Sequence, residues 1–301
     1  MSDEFLRSLR VTPGYAPGLP ADQLLRYARS HAARHADALR RIRSWARGRR
    51  LRVLELGASP YCFTALLARQ IECEITCVNI PPGVWPGEMA SYAPTDVLLE
   101  SGGWRCQVPV LLMNVERDLL PFDDESFDVV LCMDLLQHLG YHPTWMFCEA
   151  RRVLRPDGRL LLTAPNALSL RRLLSLLAGI VDAEPFAARG LYERRQRIAT
   201  PREMAALAAG SGFRIEQVEH ADLDALPERG RPLALARLAR LLGRLPIGLA
   251  GRREYVSISA TPEAPPRAVY PPETYYHVRL YPPIPGVPPA ESAPQRSNTA
   301  S

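Results

Sequence analysis

A carboxylate two residues ahead of a glycine, at the end of a short apolar run, is where chemistry first localises in this chain. Glu55 lies in Leu51 to Leu56, LRVLEL, which runs into the tight loop Gly57-Ala58-Ser59-Pro60-Tyr61. Phe63, Leu66 and Leu67 then recur at helical spacing. A buried strand turning sharply into a helix presents free backbone N–H groups at the carboxyl edge of a sheet, where open α/β folds bind ligands. A dinucleotide fingerprint needs glycines where Ser59 and Cys62 stand, and a P-loop needs a lysine that this chain lacks throughout. Glu55 would repel a pyrophosphate and welcome a cation such as an ammonium or sulfonium.

A second group of polar residues follows at matching places. Glu74 to Ile80, EITCVNI, reads as a strand ending at Asn79, where a doubly wound sheet faces the ribose of a nucleoside held over the first loop. Asn79 can accept through its carbonyl and donate through its amide. Phe127 to Met133 reads as another buried strand, ending at Asp134 and passing into Leu135, Leu136, Gln137 and His138. His31 and His35 are spaced to ligate a metal, but no third ligand is suggested, and a solvated or capping role is expected. No metal site is predicted.

The elements that must position these groups are legible from periodicity. Ala21 to Arg47 has a helical pattern, preceded by a Pro/Gly-containing lead-in over residues 1–20. Pro109 to Val115 and Arg159 to Ala164 complete the run of buried strands, with a helix over Thr144 to Leu154 between them. Residues 81–108, rich in Pro and Gly, read as an insertion, either a partly helical cover or a mobile lid. Strands alternating with helices of this length predict a parallel, doubly wound α/β sheet. Thr200, Pro201 and Glu203 form a capping box for a helix that precedes a strand at Phe213 to His220, and Tyr255 to Ala260 supplies the last strand. The divisions expected are an N-terminal helical extension (1–50), a main domain (51–260) and a Pro-rich, disordered tail (261–301).

Composition sets the remaining bounds. The chain has 301 residues, 47% of them apolar, enough for one α/β core with appendages. The 37 basic residues are all arginine, and against 32 acids they leave a net charge of +5, a mild excess that does not call for a nucleic-acid partner. Without lysine, Schiff-base and lysine-base mechanisms are excluded. Six cysteines without a CxxC pair, and no basic-then-apolar leader, predict reduced thiols in a cytoplasmic protein. From Pro232 to Leu245, Arg237, Arg240 and Arg244 share one helical face and leucines another. Such a helix could touch an anionic bilayer peripherally, but packing of its leucine face on the domain is the expectation.

In their order along residues 50–220, VLELGASPYCFTALLA, NVERDLLPFDDESFDVV, MDLLQHL, RRVLRPDGRLLLTAPNALSL and YERRQRIATPREMAALAAGSGF resemble the class I S-adenosylmethionine-dependent methyltransferases. Among these the chain is most similar to a bacterial group acting on glycans or small molecules. The loop keeps Gly57 of that class's E/D-x-G-x-G-x-G pattern, with Ser59 and Tyr61 where glycine is common, and Asn79 replaces the usual acid. The resemblance implies a Rossmann-like, mostly parallel seven-stranded sheet with its last strand antiparallel and helices on both faces. It also implies S-adenosylmethionine as cofactor, with Glu55, Gly57, Ala58 and Ser59 around the methionine half. Asn79 and Ile80 would face the ribose and adenine edge, Glu116 and Arg117 the adenine, and Asp134 and Leu135 would close the site.

Methyl transfer to a poorly acidic hydroxyl needs alignment, water exclusion and a base. His138 is the candidate base and His142 its reserve. Tyr192, Arg195 and Arg197, in the segment where relatives carry a His-x-Arg element, would bind the acceptor. The N/D-P-P-aromatic signature of base methylation is absent after the fourth strand. The expected activity is methyl transfer to an oxygen of a small molecule or glycan. The alternatives are a non-catalytic partner protein of the same fold and an RNA methyltransferase.

Overall fold

The computed structural model describes residues 3–16, 18, 20–81, 94–140, 143–180, 195–222, 231–242 and 249–266. His142, Tyr192, Arg244 and residues 267–301 lie outside the described residues.

The sheet is built on the apolar runs read above. β2 (Leu51–Leu56) is buried except at Arg52, and β6 (Phe127–Met133) is buried throughout, as strands covered on both faces must be. They pair in parallel, Glu55 opposite Leu131, and β2 also pairs in parallel with β3 (Cys73–Asn79), Glu55 opposite Cys77. β5 (Trp104–Leu112) extends the parallel block beyond β3, and β7 (Leu154–Pro165) extends it beyond β6. β9 (Tyr255–Pro262) runs antiparallel between β7 and β8 (Phe213–Ala221). The carboxyl ends of β2, β3 and β6 therefore share one edge, which carries Glu55, Asn79 and Asp134.

Two strands enlarge the expected seven to nine, in the order β1-β4-β5-β3-β2-β6-β7-β9-β8. β4 (Thr95–Ser101) lies inside the stretch read as a cover or lid, and forms a hairpin with β5 through Gly102 and Gly103. Both glycines have positive φ, 52° and 83°, as a two-residue hairpin turn requires. The lead-in is not irregular: it contains α1 (Asp3–Ser8) and β1 (Arg10–Pro13), and β1 pairs with β4. Phe5, Leu6, Leu9 and Val11 join the same core as β2, so the first residues complete the domain's own sheet.

The segment read as one helix divides at His31 into α2 (Ala21–Ser30) and α3 (Ala32–Ala46). Arg41, only 7% exposed, ties α3 across the outer strands through Gln217 on β8 and Ser259 on β9. With α4 (Cys62–Gln70), these helices cover one face of the sheet. α5 (Pro143–Val153) and α7 (Pro201–Gly210) cover the other, around Phe147, Met204 and Phe213. The capping box of α7 forms as expected, Thr200 Oγ1 accepting from the Glu203 amide and Glu203 from the Thr200 amide.

α6 (Leu170–Leu177) and α8 (Arg231–Leu242) pack side by side. The expectation that the leucine face of α8 packs inward holds only in part, with Leu235 and Leu242 half-buried. Ala236 and Ala239 are buried, whereas Leu238 and Leu241 are exposed, as are Leu176 and Leu177 of α6. All six cysteines are free thiols, and no helix among the described residues is long and apolar enough to cross a membrane.

Candidate active site

The bend after β2 takes the backbone shape of the glycine-rich pattern while carrying larger residues. Gly57 has φ 72° and Tyr61 φ 64°, both left-handed. A Cβ on Gly57 would lie 2.9 Å from Leu135 Cδ1, so only glycine lets the bend approach the residue after Asp134. A non-glycine residue in this region costs about 1–2 kcal/mol. At Tyr61 that cost is set against burial of the ring in the core and two hydrogen bonds. Its hydroxyl lies 2.6 Å from the Tyr15 hydroxyl and accepts from Asn79 Nδ2 at 3.1 Å, and Asn79 Nδ2 also donates to Tyr15 at 2.8 Å. With its amide held by two tyrosines, Asn79 has its carbonyl oxygen as the group able to accept from a ribose hydroxyl. Tyr15 belongs to the lead-in, and no local pattern marks it.

Glu55 is 2% exposed and accepts from Thr64 Oγ1 at 2.7 Å. Burial pushes its pKa up to about 7, against the lowering effects of Thr64 and of the more distant Arg34. A buried acid with a neutral hydroxyl partner is a socket for a cation. Beside it, α4 begins without a side-chain cap, its first N–H groups turned toward the bend. Ala58 is buried and Ser59 exposed at the mouth of this turn. An acid and a helix N-terminus side by side complement the ammonium and carboxylate of an amino-acid end.

Glu116 is 3% exposed, and its Oε2 accepts from the Gly140 amide at 3.3 Å, which brings it to the turn after β6. Arg117 is half-exposed and paired with Asp118 at 3.0 Å. His138 ends the 3-10 turn Leu136–His138 and is partly buried. Gln137, in the same turn, accepts at its carbonyl from the amides of Gln196 at 2.7 Å and Arg197 at 3.3 Å. The Arg195–Arg197 segment is thus brought to the turn, but the Arg197 guanidinium is paired with Glu203 of the capping box. Ile80 is partly exposed beyond the end of β3.

Asp134 has φ 60° and stands at the end of β6, where its amide donates to Thr163 O at 2.9 Å. Its carboxylate forms an ion pair with Arg34 of α3, accepts from Tyr255 Oη at 3.3 Å and faces His31 Nε2 at 3.7 Å. Arg34 is buried, lies 5.2 Å from the Tyr255 ring centroid and donates to Tyr27 Oη at 3.4 Å. Sequence reading missed this cluster because Arg34, His31 and Tyr255 come from distant stretches; an arginine on the apolar side of α3 is its faint trace. His35 is 1% exposed rather than solvated, and burial with Arg34 beside it holds its pKa well below the ordinary range. Among the described residues no group of three metal-ligating side chains is assembled.

A family model described as a methyltransferase domain matches residues 54–162, which hold the bend, Asn79, Glu116 and Asp134. Over those residues the chain carries a methyltransferase domain of the S-adenosylmethionine-dependent kind. Over 217 residues this methyltransferase is 29% identical to a ubiquinone biosynthesis O-methyltransferase of Xylella fastidiosa, covering 71% of this chain and 75% of the relative. Over 116 residues it is 30% identical to a glycine/sarcosine/dimethylglycine N-methyltransferase of Actinopolyspora halophila, covering 38% and 19% of the two chains. A solved S-adenosylmethionine-dependent methyltransferase of Archaeoglobus fulgidus superposes with a TM-score of 0.45 at 17% identity, over 77% of this chain and 94% of that one. The bend fits the cofactor of the family: the buried acid and the uncapped helix suit its zwitterionic end, and Asn79 its ribose.

Proposed function

We propose that this methyltransferase transfers the methyl group to an oxygen of a small molecule or of a glycan end. The observation that carries the reading is the enclosure of Asp134. Its side chain is 12% exposed under α2 and α3, which favours a small acceptor over a base held in a folded nucleic acid. The β6 turn reads Asp134-Leu135-Leu136-Gln137, without the proline pair of enzymes that methylate nucleic-acid amino groups. Relatives named as O-methyltransferases support the same acceptor atom.

S-adenosylmethionine supplies an electrophilic methyl on a sulfonium, so the chain's own task is to hold, align and dry the reactants. Glu55 and the start of α4 would hold the amino-acid end, Gly57, Ala58 and Ser59 would line it, and Asn79, Ile80 and Glu116 would lie along the nucleoside. Leu135, packed against Gly57, joins the cofactor bend to the acceptor side. Arg195 belongs to the segment that closes on the β6 turn. Incubating the protein with methyl-labelled S-adenosylmethionine and an extract of its source cells is expected to label a small acceptor at oxygen. Label on RNA or on nitrogen overturns the reading, and the absence of any binding heat with the cofactor would favour a non-catalytic role.

The outward leucines of α6 and α8 favour one addition, peripheral contact of residues 232–245 with an anionic bilayer. Leu176, Leu177, Leu238 and Leu241 are exposed, with Arg237 exposed beside them. Vesicles containing anionic phospholipid are expected to carry the protein upward in flotation, and Leu238→Ser with Leu241→Ser to abolish this. A wild-type protein that stays in the soluble fraction overturns the contact.

A further inference from the structure

We propose that Tyr15, in the lead-in before α2, binds the cofactor: its hydroxyl donates to one ribose hydroxyl of S-adenosylmethionine while the Asn79 carbonyl oxygen accepts from the other. The inference rests on the nucleoside lying along Asn79, and it gives a binding role to a residue outside the matched methyltransferase domain of residues 54–162.

Tyr15 is placed by the strand that precedes it. β1 pairs with β4 as far as Pro13 opposite Val97, and the Gly14 amide then donates to Asp96 O at 2.8 Å. A Cβ on Gly14 would collide with Thr95 Oγ1 and lie 3.0 Å from Asp96 O, so glycine lets the chain press on β4 here. The Tyr15 ring packs, partly buried, against the core cluster that holds β2, and its hydroxyl reaches the end of β3. There it closes a triangle, 2.6 Å from the Tyr61 hydroxyl and 2.8 Å from Asn79 Nδ2, with Asn79 Nδ2 to Tyr61 Oη as the third side at 3.1 Å. One corner belongs to the bend after β2, one to the end of β3 and one to the lead-in.

The protons of the triangle set its directions. With Asn79 Oδ1 turned inward, three contacts would share two hydroxyl protons, and one pair of oxygens would meet with no hydrogen between them. With Nδ2 inward every contact has a proton, and Oδ1 is left as an acceptor outside the triangle. One hydroxyl proton is then in surplus, because the two tyrosines share a single contact. Tyr61 is 1% exposed, so a surplus proton there would be buried without an acceptor, whereas Tyr15 is half-buried. Tyr61 therefore donates to Tyr15, and the Tyr15 proton is the one directed outward. Burial raises the pKa of both hydroxyls, so both keep their protons around neutral pH. The end of β3 thus offers a neutral acceptor and a neutral donor side by side. A carboxylate in that place would only accept, and both hydroxyls of a diol would have to donate to it. Asn79 and Tyr15 instead suit a vicinal diol in which one hydroxyl donates and its neighbour accepts.

Calorimetry of the full chain with S-adenosylhomocysteine and its 2′-deoxy and 3′-deoxy analogues reads the contact. Tyr15→Phe keeps the ring in the core and removes only the hydroxyl. It is expected to lower the affinity for S-adenosylhomocysteine by about two- to tenfold, the effect of one neutral hydrogen bond. Against the analogue that lacks the hydroxyl met by Tyr15, variant and wild type should bind equally, and against the other analogue the loss should persist. A tyrosine that only steadies the fold would weaken all three ligands alike. That result, or a Tyr15→Phe variant with wild-type affinity for S-adenosylhomocysteine, overturns the assignment. The comparison stays readable if the variant melts at a lower temperature, because each ratio is taken between the same two proteins. Tyr15→Ala is expected to bind S-adenosylhomocysteine less tightly than the wild type; tighter binding would mean that the ring fills the place of the ribose, and overturns the assignment as well. A wild type that binds S-adenosylhomocysteine and both analogues with equal affinity instead removes the placement of the nucleoside along Asn79, and the assignment with it.

Discussion

Replacing Glu55 by glutamine is expected to stabilise the ligand-free protein above neutral pH and to weaken its hold on S-adenosylmethionine. The two opposite effects have one cause. The folded protein keeps the Glu55 proton up to a pKa of about 7, whereas the unfolded chain releases it near 4.5. Between those values the native state binds more protons than the unfolded one, so stability falls as pH rises through that window. The full excursion is worth about 3 kcal/mol at 1.36 kcal/mol per pKa unit. Glutamine keeps the contact with Thr64 Oγ1 and removes the titration, so a plot of melting temperature against pH should lose its downward slope. The cofactor's ammonium and sulfonium favour ionised Glu55, and losing a charged hydrogen bond costs about 1.5–3 kcal/mol, a loss of affinity of about ten- to a hundredfold. Calorimetry in buffers of different ionisation enthalpy should also show proton release on binding near neutral pH, because the raised pKa keeps part of Glu55 protonated there. Equal affinity in the variant, or no release from the wild type, would show that Glu55 does not meet the cofactor's charge.

Arg34→Ala is the second large effect, and it falls on the fold. Removing one member of a buried ion pair leaves the other charge uncompensated and typically costs 3–5 kcal/mol. Here the stranded group is Asp134, at 12% side-chain exposure, with the Tyr255 hydroxyl at 3.3 Å and His31 Nε2 at 3.7 Å beside it. Urea unfolding should record this loss, and a second change, Asp134→Asn, should recover part of it in the Arg34→Ala background by removing the stranded charge. A single variant as stable as the wild type would mean that water reaches Asp134 freely and that α3 does not enclose the site.

These two residues also mark how far local pattern carries. Glu55 was readable because strand, loop and helix lie within one stretch, so the place of the carboxylate at the sheet edge follows from chain order. Asn79 and Asp134 were readable for the same reason, each ending an apolar run. Arg34 was not, because nothing in α3 states which strand it will cross. The hairpin of β4 and β5 was missed because Pro and Gly in the preceding residues dominated the reading, although Gly102 and Gly103 supply its turn. The exposed Leu238 and Leu241 of α8 show a further limit, since periodicity defines two faces but not how much of each meets the domain.

The order of elements, the bend after Leu56 and the acids and amide at three strand ends were determined by the sequence itself, through periodicity and short-range turn chemistry. Only tertiary structure decided that Tyr15 and Tyr61 would take the Asn79 amide, and that α2 and α3 would bring His31 and Arg34 over Asp134. The physical reason is range. Helix and strand signals are written between neighbours a few residues apart, whereas the approach of His31 to Asp134 is set by burial of both sheet faces at once.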